Sequence, residues 1–169
     1  MIKVGIGYDA HQLAKGERFV IGGVEIPYEY GSVGHSDGDV LIHAIVDSLL
    51  GAANLGDIGE LFPSSEKKWK DSNSLNFLDI SNSKLISEGY EIVHIDSIII
   101  LQTPMISEFI PEMKNKISKK LALELSQISI KATTTDHLGY IGESKGLAAQ
   151  SISTPVSYTH LTLPTILRV

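Results

Sequence analysis

Three side chains of types that bind divalent metals lie within the first part of the chain. Asp9 and His11 are two positions apart, so both point to the same side if this segment is extended. His43 lies in a segment predicted to be helical, and one carboxylate with two imidazoles is a ligand set that suits Zn²⁺. Three protein ligands would leave a fourth position open, as in catalytic sites. Taken separately, each residue is also typical of an ordinary surface or core position.

A carboxylate one helical turn beyond His43 is a candidate to orient that ligand. Asp47 follows His43 by four residues, so both lie on the same face of the predicted helix. We expect Asp47 to accept the second imidazole N–H of His43, because such a contact fixes the orientation of a ligating ring.

A glycine-rich polar loop directly precedes that helix. It reads Gly-His-Ser-Asp-Gly-Asp over residues 34–39, and Ser36 or Asp37 is the predicted N-cap. Backbone N–H groups at a helix start favour an anion, and His35 could donate a further hydrogen bond or carry a positive charge. The lysine-bearing P-loop pattern is absent here. The loop is therefore a candidate phosphate site, although an ordinary capping loop would have the same composition.

A third polar cluster is the run Lys-Ala-Thr-Thr-Thr-Asp over residues 131–136. Successive hydroxyl groups at a strand end suit a phosphate, and Asp136 could hold a second cation. Threonine is also favoured in strands for steric reasons alone, so the composition leaves both interpretations open.

The elements that must position these clusters alternate between strand and helix patterns. Alternating β-branched residues predict strands, and Gly22-Gly23 predicts a hairpin turn. Helical periodicity over residues 39–53 predicts an apolar stripe that faces the core. The stripe comprises Leu41, Ala44, Ile45, Ser48 and Leu49. Strands are predicted at 2–8, 18–27 (a hairpin), 91–103, 126–134 and 147–154, and helices at 39–53, 73–88 and 107–124. The glycine-rich polar segment over residues 28–38 is predicted to be a loop.

This order of elements predicts the fold class. Strands separated by helices indicate an α+β two-layer sandwich, a mixed β-sheet with helices on one face. The other face of the sheet would need a cover, and another subunit is one way to supply it. We expect a single domain over residues 1–154.

The composition excludes several classes of protein. The 169 residues carry 20 acidic and 14 basic side chains, a formal net charge of −6, and no basic stripe indicates a nucleic-acid surface. Cysteine is absent, which excludes disulfides, thiolate metal ligands and a cysteine nucleophile. The longest purely apolar run covers residues 98–101, far short of a membrane span, and no signal-peptide pattern precedes the first strand. We expect a cytoplasmic protein with no nucleic-acid or membrane partner.

The last fifteen residues differ from the rest of the chain. Residues 155–169 contain no acid and one arginine, and the stretch VSYTHLTLPT resembles the conceptual translation of a sequencing-library adapter. We therefore interpret 155–169 as a non-native read-through tail and leave it out of the fold prediction. A genuine β-prone extension is the alternative.

Four separate blocks of the chain form a family pattern. They read DAH at residues 9–11, HSDGDVLIHAIVDSLLGAA at 35–53, GDIGELFP at 56–63 and KATTTDHLGYIG at 131–142. Together they closely resemble the 2-C-methyl-D-erythritol 2,4-cyclodiphosphate synthase family, and the resemblance covers residues 2 to about 154. The long block over residues 35–63 is the most specific part.

The resemblance implies a reaction. Family members convert 4-diphosphocytidyl-2-C-methyl-D-erythritol 2-phosphate to 2-C-methyl-D-erythritol 2,4-cyclodiphosphate and release CMP, a step of non-mevalonate isoprenoid biosynthesis. The 2-phosphate of the substrate attacks the β-phosphorus, so the enzyme, a phosphorus–oxygen lyase, must bring two anionic groups together and neutralise their charge. Two alternatives remain, a metal-dependent phosphohydrolase that activates water with the same ligands and a non-catalytic trimeric binding relative.

The resemblance also assigns site residues. It implies that Asp9, His11 and His43 hold one zinc ion per subunit, that His35 and Thr134 act in catalysis, and that Mg²⁺ or Mn²⁺ binds near Asp136. Contacts to the erythritol phosphate are implied for Ser36, Asp57, Ile58, Gly59, Phe62, Pro63, Ser64, Ser65 and Glu66. Asp9, His11 and His35 are also expected to bind the substrate. Contacts to the cytidine diphosphate part are implied for Leu101, Gln102, Thr103, Pro104, Met105, Ile106, Ser107, Thr133, Thr134, Thr135 and Asp136, and Tyr140 and Glu143 complete the expected substrate site.

A homotrimer with active sites between neighbouring subunits is a further implication of the resemblance. Metal ligands would come from one chain and much of the cytidine pocket from the next, and trimer formation would cover the second face of the sheet. Two positions depart from the family pattern. Met105 follows Pro104 where relatives often have lysine, and Glu143 stands where many have arginine.

Overall fold

A five-stranded mixed sheet carries helices on one of its faces. The computed structural model describes residues 1–70 and 72–157. The strand order is β4-β1-β7-β5-β6, with β5 and β6 parallel and the other pairs antiparallel, and β2 and β3 form a separate hairpin. The strands are β1 (Gly5–Lys15), β2 (Val20–Ile21), β3 (Val24–Glu25), β4 (Tyr30–Ser32), β5 (Tyr90–Ile100), β6 (Ile128–Thr133) and β7 (Gly146–Ser157). The helices are α1 (Val40–Ala53), α2 (Ile58–Leu61), α3 (Ser74–Ser87), α4 (Ile110–Leu121) and α5 (Gly139–Gly142). These elements confirm the predicted α+β class.

Helix α1 lies directly on the sheet, and glycines of β1 allow the close approach. A Cβ added at Gly7 would lie 1.9 Å from the carbonyl oxygen of Ala44, and one at Gly5 would lie 2.0 Å from that of Ser48. The backbones of α1 and β1 therefore touch at positions where no larger residue fits. The predicted stripe of α1 is buried, and its Ser48 hydroxyl donates to the Ile45 carbonyl and contacts the Ser153 hydroxyl of β7.

Some element boundaries differ from the prediction. Strand β1 continues to Lys15, so Asp9 and His11 lie on the same strand. The predicted loop over residues 28–38 contains β4, which pairs with the end of β1. The last strand runs to Ser157, three residues beyond the expected boundary, and it pairs there with β5. Residues 158–169 of the expected tail lie outside the described residues.

The sheet face opposite the helices is exposed and partly apolar. Ile6 of β1 lies opposite Ile152 of β7, and both side chains are exposed, as are Val4 and Tyr8 on the same face.

No helix within residues 1–70 and 72–157 has the length and apolar character needed to span a membrane.

Candidate metal centre and substrate pockets

The predicted metal ligands converge on one point. The Asp9 carboxylate oxygen Oδ2 is 2.9 Å from Nε2 of His11 and 2.9 Å from Nδ1 of His43, and the two nitrogens are 3.3 Å apart. Tetrahedral zinc with bonds of about 2.0–2.1 Å separates neighbouring ligand atoms by about 3.3 Å. The three atoms therefore have nearly the spacing of one face of a tetrahedral site, and the residues fit a divalent metal.

The other ring nitrogen of each histidine has a hydrogen-bond partner within the chain. Nδ1 of His11 lies 3.1 Å from the carbonyl oxygen of Val33, which can only accept, so this nitrogen carries the proton. Nε2 of His43 lies 3.1 Å from the Ser36 hydroxyl and 3.0 Å from the Ser74 hydroxyl. Proton donation at these outer positions leaves the inner nitrogens with the lone pairs that a metal needs.

The structure does not bring Asp47 to His43. The Asp47 carboxylate accepts the backbone N–H of Ile58 at 2.7 Å instead, and it thereby holds the start of α2 beside α1. Burial raises the pKa of Asp47, and the bond from Ile58 opposes that effect. The expectation that Asp47 orients His43 is replaced by contacts of His43 with Ser36 and Ser74.

The charges of the metal-ligand group are mutually stabilising. Burial by itself raises the pKa of Asp9, but hydrogen bonds and charge interactions with His11 and His43 lower it well below the usual range. Burial lowers the pKa of His11, but the hydrogen bond and the charge of Asp9, together with the Val33 carbonyl and the charge of Asp39, outweigh that effect and raise the pKa. Asp9 is therefore ionised, as a metal-ligating carboxylate must be.

A cavity of about 350 Å³ opens beside the metal-ligand group. Polar groups of the loop before α1 form one wall, and aromatic rings form another. The rings of Phe62 and Phe77 stack at 4.4 Å, and Trp69 meets Phe62 edge-on at 5.1 Å. We call this cavity the metal-side pocket. Its lining is His11, His35, Ser36, His43, Ile58, Gly59, Phe62, Pro63, Ser64, Ser65, Trp69 and Phe77.

The start of α1 is capped differently from the prediction. Asp39, not Ser36 or Asp37, is the N-cap, and its buried carboxylate accepts the N–H of Ile42 at 3.1 Å. The same carboxylate accepts N–H groups of Gly22 and Gly23 at the hairpin turn. Burial and the neighbouring Asp37 raise the pKa of Asp39 to about 6, against these three bonds. Because Asp39 occupies the helix start, the polar groups that face the pocket come from His35 and Ser36.

A second cavity of about 410 Å³ lies at the ends of β5 and β6. Thr133 and Thr134 are exposed at its rim, and so is Met105. Asp136 follows in a left-handed conformation, with its N–H bonded to the Thr134 hydroxyl at 3.3 Å. We call this cavity the strand-end pocket. Its lining is Leu101, Gln102, Thr103, Pro104, Met105, Ile106, Ser107, Ala132, Thr133 and Thr134.

The two pockets divide the predicted site residues between them and share no lining residue. His35 lines the first and Thr134 the second, so one chain does not bring the two predicted catalytic residues into one pocket.

Several other predicted residues line neither cavity. Asp57 caps α2, and Glu66 pairs with Lys68. The Thr135 hydroxyl donates to the Leu138 carbonyl, the Tyr140 hydroxyl lies 3.3 Å from that of Tyr8, and Glu143 pairs with Lys145.

Three residues of the site were missed from the sequence. Trp69 and Phe77 line the metal-side pocket, and Ser74 contacts His43. Phe77 lies one turn after the start of α3, so a helical projection that begins at the Asn73 cap places it on the same side as Ser74. Nothing in the local pattern around Trp69 indicates the pocket.

An α+β fold with an Asp-His-His group that could hold a metal ion, beside a substrate-sized pocket, is typical of metal-dependent enzymes. Residues 2–155 match the model of the YgbB family. The chain belongs to this family, which confirms the resemblance found in the sequence.

Curated relatives carry one common description. The chain is 50% identical over 151 residues to the 2-C-methyl-D-erythritol 2,4-cyclodiphosphate synthase of Clostridium acetobutylicum, covering 89% of this chain and 97% of the relative. It is 46% identical over 153 residues to the synthase of Desulforamulus reducens, covering 90% and 98%.

Solved structures show the same fold. The bifunctional IspDF of Campylobacter jejuni superposes with a TM-score of 0.90 at 38% identity, and the match covers 94% of this chain and 43% of that one. The CDP complex of IspF from Plasmodium falciparum superposes with a TM-score of 0.81 at 35% identity, covering 92% and 96%.

Proposed function

We propose that this chain converts 4-diphosphocytidyl-2-C-methyl-D-erythritol 2-phosphate to 2-C-methyl-D-erythritol 2,4-cyclodiphosphate and CMP, in non-mevalonate isoprenoid biosynthesis. The observation that carries the proposal is the convergence of Asp9, His11 and His43 beside the metal-side pocket. Identity of 50% to a curated synthase over nearly its whole length supports the choice of reaction.

The proposed reaction forms one P–O bond and breaks one P–O bond. An oxygen of the 2-phosphate bonds to the β-phosphorus, and the bond from that phosphorus to the oxygen retained by CMP breaks, so no water is consumed. The chain must hold two anionic groups in contact and disperse their charge in the transition state. In this mechanism His35 donates to the phosphate in the metal-side pocket, and Thr134 donates to the diphosphate.

The donor set favours zinc at the metal-ligand group. Two imidazole nitrogens and one carboxylate oxygen with a free fourth position form the pattern of catalytic zinc sites. Such an ion would supply positive charge beside the phosphate oxygens that bind there. A second ion, Mg²⁺ or Mn²⁺, is proposed beside Asp136, where oxygens of the diphosphate would complete its ligands.

The strand-end pocket is proposed to hold the cytidine diphosphate part. Its walls are the loop over residues 101–107 and the hydroxyl groups of Thr133 and Thr134. A relative with 35% identity has been solved as a CDP complex, which supports a nucleotide of this type. The erythritol phosphate is proposed to occupy the metal-side pocket against Ser36, Ile58 and Gly59.

A homotrimer is proposed as the active form. The exposed apolar residues Ile6, Tyr8 and Ile152 lie on one sheet face, and a neighbouring subunit would remove them from water. An active site between subunits would also bring the metal-side pocket of one chain to the strand-end pocket of the next, which a single chain does not do.

The test is CMP release from the named substrate, followed by ³¹P NMR of the product. We expect a cyclic diphosphate, loss of activity with chelator, and at least a 100-fold lower rate in Asp9→Asn and His43→Ala. The matched control is Asp79→Asn, an exposed carboxylate of α3 paired with Lys120, which should leave the rate unchanged. Free phosphate as product would support a phosphohydrolase, and absence of CMP release would support a non-catalytic binding protein.

A further inference from the structure

The outer nitrogen of His43 begins a chain of hydrogen bonds that leads away from the substrate pocket. Nε2 of His43 lies 3.0 Å from the hydroxyl of Ser74, the first residue of α3. The Ser74 hydroxyl contacts the Asp37 carboxylate in turn, and the backbone N–H of Ser74 donates to the other oxygen of that carboxylate at 2.9 Å. Two residues outside the expected site therefore stand behind a metal ligand.

The direction of these bonds follows from their chemistry. The Asp37 carboxylate, when ionised, can only accept, so the hydroxyl proton of Ser74 is directed to Asp37. The Ser74 oxygen is then left to accept, and its nearer remaining neighbour is Nε2 of His43 at 3.0 Å, with the Ser36 hydroxyl at 3.5 Å. This arrangement favours the His43 tautomer with the proton on Nε2 and the lone pair on Nδ1. Nδ1 is the atom that faces Asp9 and His11.

Burial separates the roles of the two serines beside His43. Ser74 is fully buried and does not line the metal-side pocket, whereas Ser36 is partly exposed and does line it. Ser36 also lies within hydrogen-bond distance of Nε2 of His43, at 3.1 Å, but Ser74 can accept the proton of His43 when the Ser36 hydroxyl turns toward a bound phosphate. The backbone N–H of Asp37 also donates to the Ser72 carbonyl at 3.2 Å, which ties the loop before α1 to the start of α3.

We infer that Asp37 and Ser74 are positioning residues, which hold His43 as the Nε2–H tautomer and so raise the affinity of the Asp9-His11-His43 group for a divalent metal. The inference rests on the metal site of the proposed function. Contacts of this kind to metal-ligating histidines typically change metal affinity by about 10- to 100-fold.

Zinc affinity measured by competition with a chromophoric chelator tests the inference. We expect Ser74→Ala and Asp37→Asn each to weaken Zn²⁺ binding by about 10- to 100-fold. Asp37→Asn keeps the shape of the side chain. If the new amide carbonyl accepts the backbone N–H of Ser74, the amide nitrogen faces the Ser74 hydroxyl oxygen. The Ser74 hydroxyl proton then loses its acceptor and competes for Nε2 of His43.

A matched control separates this effect from loss of a buried hydroxyl. Ser81 lies on α3 and is fully buried like Ser74, and its hydroxyl has no hydrogen-bond partner among the described residues. Ser81→Ala should therefore keep wild-type zinc affinity. Thermal unfolding of each metal-free variant checks that the fold is retained.

A second measurement reports on the ring itself. In Zn²⁺-loaded protein with ¹⁵N-labelled histidine, the Nε2–H proton of His43 should exchange slowly with water in the wild type and rapidly in Ser74→Ala. Affinities of folded Ser74→Ala and Asp37→Asn within twofold of wild type would overturn the inference while His43→Ala still loses zinc. Unchanged zinc binding in His43→Ala would instead refute the metal site itself.

Discussion

The metal-side pocket and the strand-end pocket are prepared for their ligands in different ways. Beside the metal-side pocket, the outer ring nitrogens of His11 and His43 have hydrogen-bond partners, and the side chains of Asp9, His11 and His43 expose only 27%, 16% and 12% of their surface. In the strand-end pocket, Thr133 and Thr134 are exposed, and Met105 exposes 85%. The metal-side pocket lies beside ligand side chains that are largely removed from solvent, whereas the strand-end pocket has exposed hydroxyl groups at its rim.

The difference shows which side chains the fold holds in fixed positions. Charge stabilisation depends on groups already held in place, and such order comes from packing and from hydrogen bonds behind the ligands. Helix α1, whose backbone contacts that of β1, holds His43 in position. In the strand-end pocket, Thr103 is hydrogen-bonded to Tyr28 and Gln102 accepts the N–H of His137, whereas the side chains of Thr133 and Thr134 remain exposed. The net charge of −6 makes local order more important, since overall charge repels an anionic substrate.

The strongest test of the division mixes two inactive variants. His43→Ala removes the metal-side pocket and Thr134→Ala weakens the strand-end pocket, so each alone should reduce CMP release by about 100-fold or more. In a trimer with sites between subunits, random mixing gives one intact site for about every four interfaces. Unfolding the two variants together at equal amounts and refolding them should therefore restore about one quarter of wild-type activity.

The control for this experiment is the double variant His43→Ala/Thr134→Ala mixed with His43→Ala, which contains no intact metal-side pocket and should stay inactive. Light scattering establishes the trimer independently of activity. Absence of recovery in trimeric mixtures would mean that both pockets of one site come from the same subunit.

The metal-side pocket was more predictable from the sequence than its support. Asp9, His11 and His43 were proposed as metal ligands from their residue types and spacing together with the family resemblance, and β1 does carry both Asp9 and His11. Asp47 failed as the partner of His43 because helical spacing gives a shared face, not a side-chain direction. Ser74 was missed because it reaches His43 from α3, 31 residues away, and no local spacing encodes that contact.

Sequence periodicity predicted most of the helices and strands. The errors of that prediction arise where long-range contacts decide the local structure. Residues 39–53 were predicted as a helix from an apolar stripe, and α1 covers Val40–Ala53. Strand β4 was missed in a glycine-rich loop because only its pairing with β1 makes it a strand. The cap of α1 moved to Asp39 because the hairpin turn at Gly22-Gly23 supplies two further donors to that carboxylate.

A substitution at Gly7 should disturb the metal-side pocket selectively. In Gly7→Ala the new Cβ would lie 1.9 Å from the Ala44 carbonyl oxygen, so α1 must move away from β1 and carry His43 with it. We expect the free energy of unfolding to fall by about 1–3 kcal/mol, and zinc affinity to fall with it. Urea unfolding and chelator competition measure the two effects.

Gly51→Ala is the matched control for Gly7→Ala. Gly51 lies on the exposed side of α1, and a Cβ there would meet the Ile6 carbonyl at 4.0 Å, an ordinary contact. Because alanine favours a helix interior, this variant should gain about 0.5–1 kcal/mol and leave zinc affinity unchanged. Equal effects of Gly7→Ala and Gly51→Ala would show that close packing of α1 on β1 does not position His43.

The smallest expected effect belongs to the strand-end pocket. Met105 exposes 85% of its surface at the proposed nucleotide pocket, so Met105→Lys adds one cation without repacking. An exposed charge contributes about 0.2–1 kcal/mol, which predicts a dissociation constant for CDP lower by about 1.5- to 5-fold at low salt. The gain should disappear at high salt, because solvent ions screen exposed charges. Met105→Gln controls for the changed shape, and calorimetric titration with CDP measures all three proteins. A CDP affinity of Met105→Lys equal to that of Met105→Gln at every salt concentration would mean that the diphosphate does not bind beside residue 105, and the strand-end pocket would lose its proposed ligand.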